Sequence, residues 1–402
     1  MCFQTFFVIQ KVFGNFFLSL RQNYRNQMHT LYNSILQTST VAADVRDIAQ
    51  KIINGLRITP DEALVLYQSA PLALLGMLAF AVKERNTGRR VFFNRNFHIE
   101  PTNVCVNNCK FCSYKKPKGD AQAWELSFDE ILHQVKRYKD SHATECHIVG
   151  GVHPDRDIDY YCNLIREVKN IIPGIVVKAF TAVEIEYMVN KAGLSLRDGL
   201  QKLKDAGLES IPGGGAEIFD EELRAKICPE KTKSDKWLEI HRTAHQLGIS
   251  TNATILYGHL ESYGQRIDHL NRLRTLQDET HGFSAFIPLK YRHENNSMSN
   301  IGEVPLLEDL KNYAVSRIFL DNFPHIKAYW VMSGLETTRL ALQYGADDID
   351  GTVNDSTKIY TMAGVGGKPE MTVEQIVDLI KSENLVPVER DTFYNIIKEY
   401  DD

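Results

Sequence analysis

No uninterrupted apolar stretch in this 402-residue chain is long enough to cross a bilayer. The longest, "PLALLGMLAFAV" at residues 71–82, has twelve residues where a spanning helix needs roughly 20, so it reads as a buried helix and excludes membrane insertion. There is no surplus of positive charge: 46 Lys and Arg stand against 51 Asp and Glu, a formal net charge of −5, with no basic stripe. Nucleic acid and anionic membrane surfaces are therefore poor partners. No GxGxxG follows the first strand-like run, which argues against a dinucleotide-binding sheet. Cysteine is scarce, at seven residues, and no two C-x2-C pairs exist of the kind that closes a four-ligand zinc site. So few cysteines in so long a chain, without a clear secretory signal, speak against a disulfide framework and for a reducing, cytoplasmic compartment. The first 27 residues lack any acidic side chain and are rich in Phe, but Gln10 and Lys11 interrupt the one apolar run and no small-residue cleavage site follows. Met28 offers an alternative start, and residues 1–27 are expected to be a disordered or non-native leader.

What remains has the composition of a globular protein with ample core, 43% hydrophobic and 24% charged. Helical patterns fill residues 42–86, with "TPDEA" (59–63) reading as an N-cap, a first-turn proline and acidic residues beside it. From Phe97 onward, β-rich runs ("FHIEPTN", "ECHIVGG", "IVVKAFT", "ESIPGGG", "STNATILYG", "FSAFIPL", "HIKAYWV", "DDIDGTV") alternate with amphipathic helical stretches. Eight such alternations predict an α/β fold, a parallel (β/α)8 TIM-type barrel with an N-terminal helical extension. A doubly wound open sheet is the alternative. The division expected is a leader at 1–27, a helical segment at 28–95 packing on the barrel, and the barrel with a C-terminal extension at 96–402.

In a barrel the chemistry sits where strands end and loops begin. The stretch "NFHIEPTNVCVNNCKFCSYKK" (96–116) begins with the first strand and carries Cys105, Cys109 and Cys112 on the loop after it. At seven cysteines in 402, chance gives this C-x3-C-x2-C pattern about 0.002 times, so it calls for a function. Cys146, Cys162 and Cys228 each stand alone, leaving zinc without its second pair. A 4Fe-4S cube held by three thiolates leaves one iron open to a small molecule.

That motif on the first loop of a barrel resembles the radical S-adenosylmethionine (SAM) superfamily. The resemblance implies a 4Fe-4S cluster on Cys105, Cys109 and Cys112, with SAM chelating the open iron and cleaved to methionine and a 5′-deoxyadenosyl radical. The family's aromatic residue before the third cysteine is present as Phe111. Its glycine pair after the second strand matches Gly150 and Gly151, whose carbonyls would meet the SAM amino group; alone, such a pair is more often a turn. Longer segments, among them "HIEPTNVCVNNCKFCSY", "KAFTAVEI", "PGGGAEIFDEELRAKICPEK", "NATILYGH" and "PVERDTFYN", resemble the aminofutalosine synthases of menaquinone biosynthesis. The likeness runs from about Thr40 to the end, broken only near residues 295–304. It implies addition of the adenosyl radical to 3-[(1-carboxyvinyl)oxy]benzoate, an enolpyruvyl benzoate, with rearrangement and loss of bicarbonate. It also implies an electron donor such as flavodoxin or ferredoxin. The same group holds dehypoxanthine futalosine cyclases and deazaflavin precursor synthases, which abstract hydrogen instead.

Further candidates come from strand ends, each beside a plainer reading. Glu217 after three glycines suits ribose hydroxyls, or simply starts a helix. Asn252 and Thr254 point toward SAM if they face inward, and His259 beyond them is either a site residue or a satisfied core histidine. Lys178, inward at the third strand's end, and Arg292, beyond the sixth, suit substrate carboxylates. Arg242 suits the SAM carboxylate or is a solvated helix charge. His153 is a proton carrier or a turn residue. An iron–sulfur electron carrier and a zinc-stabilised binding module are the readings outside this chemistry.

Overall fold

The computed structural model describes residues 30, 34–37, 41–351, 358–366 and 369–401; the leader at 1–27 lies outside them. The helices Ala43–Ile53, Pro60–Ser69 and Leu72–Thr87 precede the sheet. The second begins as "TPDEA" predicts. Thr59 Oγ1 accepts the Glu62 N–H, Glu62 returns a carboxylate to the Thr59 N–H, and Pro60 sits where no N–H is needed. The long apolar run forms the third helix, which buries Leu74, Leu75, Leu78, Ala79 and Val82 and packs against helix Leu306–Phe319.

Eleven strands form one sheet among the described residues: β1 (Arg90–Phe93), β2 (Asn96–Ile99), β3 (Glu145–Ile148), β4 (Val176–Ala179), β5 (Leu208–Ile211), β6 (Ser250–Tyr257), β7 (Phe283–Lys290), β8 (His325–Ala328), β9 (Asp348–Ile349), β10 (Val386–Arg390) and β11 (Ile396–Glu399). Strands β2 to β9 are the eight that the alternation predicts, paired in sequence order, all parallel, and screened by helices. The wall curls but does not close by strand pairing. β9 has only two residues and bonds on its far side to β1, and the sheet then runs on through β10 to the antiparallel β11. Across the gap, Asn96 Nδ2 donates to Asp350 Oδ1 at 3.2 Å. Gly351 lets the chain pass there, since a Cβ would fall 1.5 Å from the Asn94 carbonyl oxygen. The sheet thus crosses the expected division at 95/96.

Alternation along a strand decides what faces the interior. Phe97, Ile99, Cys146, Ile148, Val177 and Ala179 lie fully buried under the outer helices. Their neighbours in register, Asn96 with Glu145 and one level higher His98 with His147 and Lys178, form rows on the opposite, inward face.

Candidate active site

The loop after β2 is closed on itself and tied to two other parts of the barrel mouth. Cys105 N–H donates to Lys116 O (2.9 Å), Val106 N–H to Val152 O (3.0 Å) and Lys110 N–H to Ile227 O (2.8 Å). Tyr114 OH closes it by donating to Thr102 O at 3.0 Å. Held this way, the unpaired thiols of Cys105, Cys109 and Cys112 line one cavity of about 120 Å³ together with Phe111, Gly150, Gly151, Thr181 and Lys231. Burial raises the Cys105 thiol and pushes Cys109 up to about 12, so thiolates form there only when a metal takes the proton's place. Three thiols around a shared cavity fit a cube in which each holds its own iron.

Gly150 and Gly151 follow β3 and lie against this loop. A Cβ on Gly151 would fall 2.2 Å from the Val104 carbonyl oxygen, and one on Gly150 would fall 3.0 Å from that of Thr102. The pair is what lets the two backbones touch. Gly150 N–H points to Glu184 Oε1 at 3.3 Å, and the other oxygen of Glu184 receives the N–H and hydroxyl of Thr181 in a capping box. Burial pushes the Glu184 carboxyl up from 4.5 to about 7 in spite of these donors. The folded chain therefore binds this proton more tightly than the unfolded one, and stability falls as pH rises from about 4.5 to 7, then levels off. Glu184→Gln is expected to flatten that part of the thermal-midpoint profile of the apoprotein, a difference of at most ~3 kcal/mol. A profile as steep as wild type's would assign the titration elsewhere.

A second cavity, about 130 Å³, occupies the barrel interior and meets the first at Thr181. One side is polar: Asn96, Glu145, His147, Lys178, Lys327 and Asp350. The other side carries Ile287 and Leu289, with Pro212, Gly213 and Gly214 above. The charges are matched. Lys178 pairs with Glu145 at 2.6 Å, Lys327 with Asp350 at 3.2 Å, and Arg390 with Asp348 at 2.5 Å. Over the mouth lies the short helix Ile359–Met362. Glu100 accepts its Lys358 and Ile359 N–H groups (2.7 and 3.3 Å), and Asn295 Nδ2 donates to Met362 O (2.9 Å). Tyr360 of this helix lines the cavity, its ring 5.0 Å from that of Tyr329.

Of the residues singled out from sequence, the cysteines, Phe111 and both glycines line the first cavity, while Lys178, Asn252 and Thr254 line the second. Thr254 Oγ1 also donates to Gly213 O at 2.7 Å, tying β6 to the glycine-rich turn. Glu217 is buried beside the first cavity through a 2.5 Å pair with Lys231. Four others line neither cavity. Arg242 lies on the outer ring of helices, 37% exposed and bidentate to Glu279. Arg292 is held by Glu303 at 2.9 Å and borders neither cavity. His259 is a core histidine turned away from both cavities, with Nε2 donating to Leu256 O at 3.0 Å and Nδ1 3.2 Å from Glu261 without a hydrogen bond to it. His153 is fixed in its turn, Nε2 at 3.1 Å from Glu125 and Nδ1 accepting the Asp155 N–H.

Sequence reasoning missed Lys231, which lies 5.4 Å over the Phe111 ring. Burial works against its charge, yet Glu217, Cys109 and Cys228 hold it well above the usual lysine value. It also missed Glu184, although the T-x-x-E of a capping box stands in "TAVE", and the inward polar row of β2 and β3.

Residues 99–273 match the family described as the Radical SAM superfamily, and residues 280–401 match the CofH/MqnC C-terminal region. The chain is 42% identical to the aminodeoxyfutalosine synthase of Thermus thermophilus over 358 residues, 88% of this chain and 96% of that protein. It is equally identical, 42%, to that of Streptomyces coelicolor, over 89% of this chain and 95% of that one. The cyclic dehypoxanthine futalosine synthase of Streptomyces coelicolor stands at 36% over 90% of this chain and 91% of that one. Among solved structures, methylornithine synthase aligns with a TM-score of 0.67 at 19% identity, covering 85% of this chain and 97% of that one. The FeFe-hydrogenase maturase HydG from Carboxydothermus hydrogenoformans gives 0.69 at 16%, covering 92% and 85%. At such identities these two speak for the fold alone.

Proposed function

Because the chain belongs to the radical SAM superfamily, in the branch that carries the CofH/MqnC C-terminal region, we propose that it is a carbon–carbon bond-forming transferase making aminodeoxyfutalosine. SAM, 3-[(1-carboxyvinyl)oxy]benzoate and water would give 6-amino-6-deoxyfutalosine, methionine, bicarbonate and a proton. The observation that carries this reading is the 42% identity to two aminodeoxyfutalosine synthases across almost their whole length, against 36% for the cyclic dehypoxanthine futalosine synthase.

The residues fit the cofactors of that family. Cys105, Cys109 and Cys112 would hold the 4Fe-4S cluster, and Gly150, Gly151 and Lys231 would frame the methionine end of SAM. When bound, these groups supply a 5′-deoxyadenosyl radical. Thr181, where the two cavities meet, with Asn252, Thr254 and Glu217 nearby, would flank the nucleoside. The two-sided interior suits an aromatic dianion, with apolar Ile287 and Leu289 facing a polar wall. The Tyr360 helix, pinned by Glu100 and Asn295, keeps water from a radical centre. No helix among the described residues is long and apolar enough to cross a membrane. We place the enzyme in the cytoplasm with a flavodoxin- or ferredoxin-type electron donor, consistent with six free cysteines.

The test traces the adenine. With adenine-labelled SAM, reductant and the enolpyruvyl benzoate under anaerobic conditions, methionine should form one-to-one with a labelled adduct, and free 5′-deoxyadenosine should stay a minor leak. Label recovered mainly as 5′-deoxyadenosine would move the chain to the hydrogen-abstracting relatives.

A further inference from the structure

Most polar groups on the inner wall of the barrel already have partners. Lys178 has Glu145, Lys327 has Asp350 and Asp348, and Asn96 donates to Asp350. His147 differs. Strand register sets it between His98 on β2 and Lys178 on β4, its ring lines the cavity, and its Nδ1 lies 3.2 Å from His98 Nε2. Its other nitrogen, Nε2, is buried without a hydrogen-bond partner among the described residues. A buried polar atom left unmatched is costly, and in a cavity wall a ligand's acceptor can relieve it.

Building on the proposed function, we propose that His147 recognises the ring carboxylate of the substrate through Nε2. The orientation follows from the two cavities. The vinyl carbon must reach the adenosyl group, so that end of the substrate lies toward Thr181, where the interior opens to the cysteine loop. The far end, the meta carboxylate, then falls against the polar wall, with the ring along Ile287 and Leu289. With Nε2 protonated, Nδ1 accepts from His98 Nε2–H, which fixes the tautomer of both rings. Burial, then the neighbouring His98, holds His147 well below its ordinary value, so it is neutral and acts as a directed N–H donor. Arriving as an anion beside paired charges, the carboxylate meets a donor without breaking the Lys178–Glu145 pair.

The experiment measures binding to the reconstituted, SAM-loaded enzyme without reductant, so that no turnover occurs. Two ligands are titrated: the enolpyruvyl benzoate, and phenyl enolpyruvyl ether, which lacks the ring carboxylate. His147→Leu should weaken the benzoate by about 10- to 100-fold while leaving the ether within a few-fold, so that discrimination between them collapses. His147→Gln, whose amide can supply an N–H near the Nε2 position, should keep most of the discrimination and serves if the leucine variant misfolds. Equal losses for both ligands, or unchanged discrimination in both variants, would overturn the assignment. The labelled-SAM assay on wild type separates the two levels: absence of the adenine adduct removes the proposed function, whereas an adduct with unaltered discrimination removes only the role of His147.

Discussion

Replacing any one of Cys105, Cys109 or Cys112 by alanine is expected to lower bound iron from about four per chain to almost none after anaerobic reconstitution, and to end SAM cleavage. A cube with three protein thiolates has no spare ligand to lose, and these three line one cavity on a loop closed at Lys116 and tied to Val152 and Ile227. The controls are the other buried thiols. Cys146 lies on the outward face of β3 and Cys162 donates to Lys202 O at 3.7 Å within the helical layer. Alanine at either should leave iron content unchanged. Cys228 is the sharper control, because its thiol is electrostatically coupled to Lys231 beside the cluster cavity. It stands at the end of helix Glu221–Ile227 and does not line the cavity, so Cys228→Ala should still take up about four irons. Iron content and the cluster's visible absorption read all six variants. Wild-type SAM cleavage in a variant lacking one of the three motif thiols would remove the cluster assignment.

The eight-strand rhythm was legible because each β-rich run is short, bounded by turns and followed by an amphipathic helix. The sheet's extension was not. Pairing of Arg90 with Val386 joins segments almost three hundred residues apart, and nothing in "RVFF" marks its partner. Spacing carried the cysteines, since cluster ligation is a local pattern. Arginine and histidine roles are settled by what lies across from them in space. Arg242 found Glu279 on the next helix, Arg292 found Glu303, and His259 found Glu261 and a carbonyl. The polar interior could have been read more fully. Barrel strands are buried on both faces, so "FHIE", "ECHI" and "VVKA" place His98, Glu145, His147 and Lys178 at inward positions that a plain structural barrel fills with Val, Ile or Leu.

Lys178→Met should destabilise the protein by about 3–5 kcal/mol, because it leaves Glu145 buried without its partner. The pair is 2.6 Å apart with side chains only 7% and 2% exposed, and Lys327, the next cation, already faces Asp348 and Asp350. Burial alone would raise the Glu145 carboxyl, but Lys178 and Lys327 hold it well below the usual carboxylate range. A depressed carboxylate contributes stability above its unfolded value of 4.5 and loses it as pH falls through the folded value. The gap between wild type and Lys178→Met should therefore be widest near neutral pH and shrink in acid. Glu145→Leu should cost a similar amount by leaving the ammonium unpaired. The double variant Lys178→Met/Glu145→Leu removes both charges at near-constant volume and should recover most of the loss. Denaturant midpoints of the four apoproteins complete the cycle. A double variant as unstable as the sum of the singles would mean that Lys178 and Glu145 act independently, and that the matched charge of the barrel wall is held by Lys327 and the aspartates of β9.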